Sequence, residues 1–306
     1  MKTLTVVLTN YNRPKIILPV IESVYNQNVS GVEIDILVID DCSDESIDKN
    51  DIIKYGERIN IIKLEENGGL HNARNRGLEM AKGDFVLVAD DDDLFIANSL
   101  SKAIRLITQL PSYEDYPVYQ FPRKNGGVMT QDFLMVTEEH YYCHIIKGDF
   151  TPIINKLCFQ KKHYKYPEYD VIRKISCENL LWCDIGNKFG IPTWNYSIIE
   201  QGTSAPIRLT SSSNWVKKAP QFAILQELTI EFMITHNFDK KYSQYYNSKV
   251  LGLYIYTLLS KRKKEARNAL KKYCRNNLFI KNGLLLLSII PASFINMGLG
   301  LYRTLK

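Results

Sequence analysis

Residues 83–95, Gly83-Asp84-Phe85-Val86-Leu87-Val88-Ala89-Asp90-Asp91-Asp92-Asp93-Leu94-Phe95, decide how the rest of the chain is read. A short apolar strand ends in four consecutive acids and returns at once to apolar residues. Adjoining carboxylates repel one another, which argues against a purely structural use. A hard divalent cation reverses that cost, because carboxylate oxygens are the ligands Mg2+ and Mn2+ prefer. Open α/β sheets also place their ligands just beyond the carboxyl ends of strands. An isolated acidic run is as readily a solvated turn, so the upstream sequence has to decide.

Upstream, Leu4-Thr5-Val6-Val7-Leu8 reads as a strand that breaks at Thr9-Asn10-Tyr11-Asn12-Arg13-Pro14. Ile17, Val20, Ile21 and Val24 then share one helical face. A second strand over 34–39 ends in Asp40-Asp41-Cys42-Ser43-Asp44, at the spacing of a βαβ unit with parallel strands. A third apolar run, 59–64, leads into Glu65-Glu66-Asn67-Gly68-Gly69 and a helix holding Ala73, Arg74, Asn75, Gly77 and Leu78. Each strand thus stops at polar turn residues on one edge. Such an edge suits a nucleotide, with the Asp40-Asp41 pair facing base or ribose donors and Arg74 as a cation near base or phosphates.

In order and spacing, these motifs resemble the amino-terminal half of family 2 glycosyltransferases over residues 3–95, about a third of the chain. The resemblance implies an α/β fold of the GT-A type, Rossmann-like with a mostly parallel sheet. It also implies a nucleotide-activated sugar as donor, a UDP-sugar in this reading, and inversion at the anomeric carbon. Thr9, Asn10, Tyr11 and Asn12 would flank the base, and Asp40 or Asp41 would bind the nucleoside. Asn67, Gly68, Arg74, Asp90 and Asp91 would complete the donor site. The family's D-x-D-D element falls on Asp90, Asp92 and Asp93, associated with Mg2+ or Mn2+ and the diphosphate, with Asp92 favoured as direct ligand. A single inverting displacement needs a carboxylate that takes the acceptor proton. The family often has Glu-Asp where this chain has Glu178-Asn179, and an amide cannot be a base. Glu178, ahead of a helix whose apolar positions include Leu181, Trp182 and Ile185, is the candidate base, with Asp184 as fallback. An acid at a helix start is also favourable to the helix dipole alone.

The remaining sequence bounds the class. The 306 residues are enough for one large core with an appendage. The expected division is a glycosyltransferase domain over 1–210, with a nucleotide-sugar half (1–100) and an acceptor half (110–210), then a helical region over 211–306. His140, Cys143 and His144 imitate a zinc pattern, but the further ligands of a tetrahedral site are missing, and ordinary histidines are expected. The six cysteines form no tight spacing pattern, and the N-terminal apolar run is too short for a signal segment, so reduced thiols in the cytoplasm are expected. The net charge of +6 is unevenly spread: from Asp239 onward fourteen Lys and Arg face only Asp239 and Glu265. That basic region adjoins the apolar stretch 283–301, which suits an anionic membrane surface better than nucleic acid. Pro291, Asn296 and the glycines favour a helix lying in the interface over one that spans. The whole reads as an enzyme peripheral on the inner face of the cell membrane, acting on a lipid-linked glycan in surface-polysaccharide synthesis. A sugar-phosphate nucleotidyltransferase would want glycines in the 9–14 turn, which has none. A non-catalytic membrane scaffold with the same fold is the rival outside enzymes.

Overall fold

A computed structural model describes residues 1–27, 30–124, 126, 129–143, 149–168, 178–201 and 217–274. The first half of the chain alternates strand and helix: β1 (Lys2–Asn10), α1 (Ile17–Tyr25), β2 (Val32–Asp40), α2 (Lys49–Ile52), β3 (Ile59–Lys63), α3 (Leu70–Met80), β4 (Phe85–Asp90), β5 (Asp93–Phe95) and α4 (Ser99–Gln109). Next come β6 (Val118–Pro122), β7 (Phe133–Val136), α5 (Glu138–Tyr142), β8 (Phe150–Asn155), α6 (Lys156–Lys161), α7 (Asn179–Phe189), β9 (Ile191–Trp194) and β10 (Ile199–Gln201). The main sheet among the described residues runs β3-β2-β1-β4-β8-β6-β9-β7.

The β3-β2-β1-β4 half is wholly parallel, whereas β8 runs antiparallel to β4 and β6, and β7 antiparallel to β9. A parallel strand in mid-sheet is covered on both faces and therefore reads as an unbroken apolar run. β1 shows this: Leu4, Val6 and Leu8 pack into one core with α1 and α4, while Val7 packs into a second core with α3 and α7. The helical face expected from the sequence is the one buried, since Ile17, Val20, Ile21 and Val24 are all sealed under the sheet. α3 lies so close to the sheet that a Cβ on Gly77 would stand 2.2 Å from Val7 Cγ1, so the helix needs glycine there.

The strand order reverses direction at β1, with β2 and β3 on one side and β4 on the other. That is the switch point where an open sheet leaves a crevice beyond its strand ends. Its floor is in register: Asn10 of β1 stands opposite Asp40 of β2, and Thr9 stands opposite Asp90 of β4.

Two compact units divide the chain, one of residues 1–168 and 181–206, the other of 169–180 and 207–306. In the second unit, α8 (Ala219–Thr235), α9 (Phe238–Lys241), α10 (Ser243–Leu259) and α11 (Lys263–Tyr273) form a helical bundle. Tyr273 ties it together, donating its hydroxyl to Glu227 at 3.0 Å while its carbonyl accepts from the Tyr246 hydroxyl at 3.0 Å. α11 buries Ala266, Leu270 and Tyr273 and exposes Lys263, Lys264, Arg267, Lys271 and Lys272. No helix among the described residues is long and apolar enough to cross a membrane. The 283–301 stretch and His144 lie outside the described residues. His140 caps α5: its Nδ1 meets the Thr137 backbone N–H at 3.1 Å in a capping box.

Candidate active site at the carboxyl edge of the sheet

The four acids close a tight turn between β4 and β5, and each takes a different role. Asp93 is 1% exposed and its two carboxylate oxygens meet both terminal nitrogens of Arg123, Nη2 to Oδ2 at 2.8 Å. The same Oδ2 accepts the Asp90 backbone N–H at 3.1 Å, which pins the turn shut. Asp91 is buried and pairs with Arg13 Nη1 at 2.9 Å. Asp90 Oδ1 accepts from Arg74 Nη2 at 2.8 Å, with the Asp90 side chain still 40% exposed. Asp92 is half-buried and has no hydrogen bond or ion pair to the described residues. Three arginines, one from α3 and two from the loops after β1 and β6, thus neutralise three neighbouring acids, which offsets the repulsion that the bare sequence implies.

Charge and burial set the acids apart. Burial pushes the Asp91 carboxyl up to about 6, with Asp90 and Asp92 adding to the rise and Arg13 opposing it. At Asp90 desolvation works in the same upward sense, but Arg74, reinforced by Arg123 and Arg13, wins and holds the group below its ordinary value.

The second acidic pair also divides its work. Asp41 accepts the Gly68 and Gly69 backbone N–H groups, one on each oxygen, at 2.9 Å, and its carbonyl accepts from Asn67 Nδ2 at 3.1 Å. Its carboxylate therefore anchors the loop that starts α3, where a negative charge also suits the helix dipole. Gly69 has φ 85°, a conformation that favours glycine. Asp40 accepts the Ser43 N–H on Oδ1 at 2.9 Å, and its Oδ2 has no donor among the described residues. Of the two, Asp40 is the one with an oxygen to offer.

In the turn after β1, Asn12 is a stitch between loops. Its N–H donates to Ser43 Oγ at 2.8 Å, and its Oδ1 accepts the Asp44 N–H at 2.8 Å. Thr9 is buried and Tyr11 is 49% exposed. Asn10 is 2% exposed, and neither atom of its amide has a partner among the described residues. A buried amide with both bonds unmet calls for a specific explanation, and a ligand at this edge is one.

Glu178 is half-buried immediately ahead of α7. Asp184, the fallback base, accepts from the Tyr164 hydroxyl at 2.9 Å and pairs with Lys188 at 2.8 Å. The edge therefore gathers Thr9, Asn10, Asp40, Arg74 and Asp90–Asp93. Arg13 and Arg123 were not singled out from the sequence. A partner 78 or 30 residues away leaves no local trace. The alternation in which Asp91 and Asp93 are buried while Asp90 and Asp92 are half-buried appears only in the folded turn.

The arrangement offers a hard metal ion the oxygens of the half-buried Asp92 and Asp90, and no larger group of His, Cys, Asp or Glu is gathered for one among the described residues. One or two carboxylates suit Mg2+, which keeps its other positions for water and phosphate oxygens.

A family model described as glycosyl transferase family 2 matches residues 5–181. A putative teichuronic acid biosynthesis glycosyltransferase, TuaG, of Bacillus subtilis is 30% identical over 47% of this chain and 57% of its own. An uncharacterized glycosyltransferase of Haemophilus influenzae is 32% identical over 36% of each. The chain therefore spans well under two thirds of these relatives. Among solved structures, S. aureus TarS 1–349 in complex with UDP-GlcNAc superposes with a TM-score of 0.58 at 20% identity, over 94% of this chain and 79% of that one. The mannosyltransferase PcManGT from Pyrobaculum calidifontis, in complex with GDP-Man and Mn2+, gives 0.52 at 13% identity, over 94% and 79%. At such identities the likeness is one of fold.

Proposed function

Because the chain belongs to glycosyl transferase family 2, we propose that it is an inverting glycosyltransferase that moves a sugar from a UDP-sugar to a lipid-linked glycan in surface-polysaccharide synthesis. The observation that carries this reading is the division of labour in the acid turn. Arginines occupy Asp91 and Asp93, and Asp92 is left open at the sheet's switch point. The sequence expectation of Asp93 as a metal ligand is set aside, since Arg123 and the Asp90 N–H use both of its oxygens. Asp92 and Asp90 would hold Mg2+ or Mn2+. When bound, the ion supplies positive charge against the leaving diphosphate. Asp40 offers its open oxygen to a donor on the base or ribose, and Thr9, Asn10 and Tyr11 line the same edge. Asp41, Asn67, Gly68 and Asn12 shape the loops around it. Arg74 presents its guanidinium beside Asp90. Glu178 takes the acceptor proton as attack begins. The likeness to TuaG, a putative teichuronic acid biosynthesis glycosyltransferase, and to TarS in complex with UDP-GlcNAc supports the surface-polymer context and the uridine nucleotide.

The acceptor class rests on the second unit. The exposed lysines and arginine of α11 form a basic outer face, and each cation close to an anionic leaflet contributes about 1 kcal/mol. This face supports a peripheral location on the cytoplasmic side of the cell membrane, where lipid-linked acceptors would be within reach. A screen of nucleotide sugars with Mg2+ or Mn2+, read by nucleotide release, tests the activity. UDP release from one sugar is expected, and no release from any donor would refute the reading.

A further inference from the structure

We propose that Tyr166 is a positioning residue that fixes the Arg74 guanidinium at the donor edge; this rests on the reading of that edge as the donor site. Arg74 is 8% exposed, and its guanidinium carbon lies 5.5 Å from the centre of the Tyr166 ring while Nη2 holds Asp90 at 2.8 Å. The cation is thus held between a carboxylate and an aromatic face. Arginine suits this, because its flat, delocalised group stacks and still forks toward an acceptor. A desolvated cation over a ring is also attracted more strongly than an exposed one.

Tyr166 is itself fixed from three sides. It lies in an irregular stretch after α6 and has no strand to hold it, yet it is 1% exposed. Its N–H donates to Asn75 Oδ1 at 2.8 Å and its carbonyl accepts from Asn75 Nδ2 at 2.9 Å, so one side chain replaces a strand partner. Its ring meets Trp182 of α7 edge-on, centres 5.8 Å apart, and His71 of α3 at 5.9 Å. Asn75 follows Arg74 directly on α3, so adjacent residues grip the tyrosine backbone and present the cation to its ring. A shift of Tyr166 would then move the guanidinium relative to Asp90.

The test is titration of the full-length protein with UDP in Mg2+, alongside the NMR shift of the Arg74 Nε–H, which the ring current moves upfield. Tyr166→Leu should weaken UDP binding about 10-fold and abolish the upfield shift. Tyr166→Phe, which keeps the ring, should retain most of both. Phe159→Leu, a change in the same core beside Tyr164, should lower stability without changing UDP affinity. Should Tyr166→Leu fold poorly, Arg74→Lys gives an independent reading. It keeps the charge without the flat group, should lose affinity to a similar degree, and should make Tyr166→Leu cost little further affinity in the double variant. UDP affinity in Tyr166→Leu equal to the unmutated protein, or Phe as poor as Leu, would overturn the proposal while leaving the donor site standing. Failure of the unmutated protein to bind any nucleotide would overturn the donor site, and the role of Tyr166 with it.

Discussion

Replacing Arg123 by leucine should be among the most damaging single changes in the first unit, and the reason can be worked from the contacts. Asp93 is 1% exposed and has Arg123 on both oxygens. Arg123→Leu leaves the Asp90 N–H as its remaining hydrogen bond among the described residues. Removing one partner of a buried ion pair costs about 3–5 kcal/mol, because the other charge stays out of water unpaired. In a unit of this size that lowers Tm by roughly 10 °C. Asp93→Asn strands the cation instead, but keeps an oxygen for the Asp90 N–H. The double variant carries no stranded charge, so it should be more stable than Arg123→Leu alone, with a coupling energy of about 2 kcal/mol. Urea unfolding of the four proteins, followed by tryptophan fluorescence, measures the cycle. Additive single effects, or an Arg123→Leu cost below about 1 kcal/mol, would refute the account of the turn.

Further outcomes follow from the same geometry. The Asp91 carboxyl, at about 6 when folded against an ordinary 3.8, holds its proton more tightly in the folded state. Its contribution is therefore complete below about pH 4 and lost as pH rises through 6, so Asp91→Asn should gain up to about 3 kcal/mol on the unmutated protein across that window. A pH-independent gap in urea unfolding would contradict this. Glu178→Gln should cut turnover about 100-fold with donor KM little changed. Asp184→Asn should keep its turnover and lose about 1 kcal/mol of stability through Tyr164 and Lys188; steady-state kinetics with the reverse ranking would move the base. Changing Lys263, Lys264 and Lys271 to Ala should reduce partition onto anionic vesicles roughly 100-fold at low salt. Unchanged sedimentation with vesicles would remove the membrane role of α11.

Much of the donor half was legible because burial on both faces leaves a plain mark on a sequence. β4 is an unbroken apolar run and β1 and β2 are largely apolar, interrupted by Thr5 and by Glu33 and Asp35; all three stop at polar turns, and the structure sets those stops on one edge. The second half gave no such mark. β6, β8 and β9 are short, and nothing in a brief apolar run tells the direction in which it will pair, so the antiparallel insertion of β8 between β4 and β6 was not readable. The site divided in the same way. The acids announced themselves as a group, but four identical letters do not say which is buried against a distant arginine. Asp41 looked equivalent to Asp40 until its oxygens were found on the Gly68 and Gly69 amides. Tyr166 carried no pattern at all, because the residues that hold it are distant in sequence, the asparagine on its backbone being 91 residues away.

The central claim is that the carboxyl edge of β1, β2 and β4 binds a nucleotide sugar through Asp92. Calorimetric titration of the purified protein with UDP-sugars in Mg2+, repeated with Asp92→Asn, tests it most directly. The account predicts saturable binding of a UDP-sugar that weakens at least 10-fold in Asp92→Asn and on adding EDTA, with thermal unfolding of the variant unchanged. Binding of equal strength in Asp92→Asn and in EDTA would contradict it.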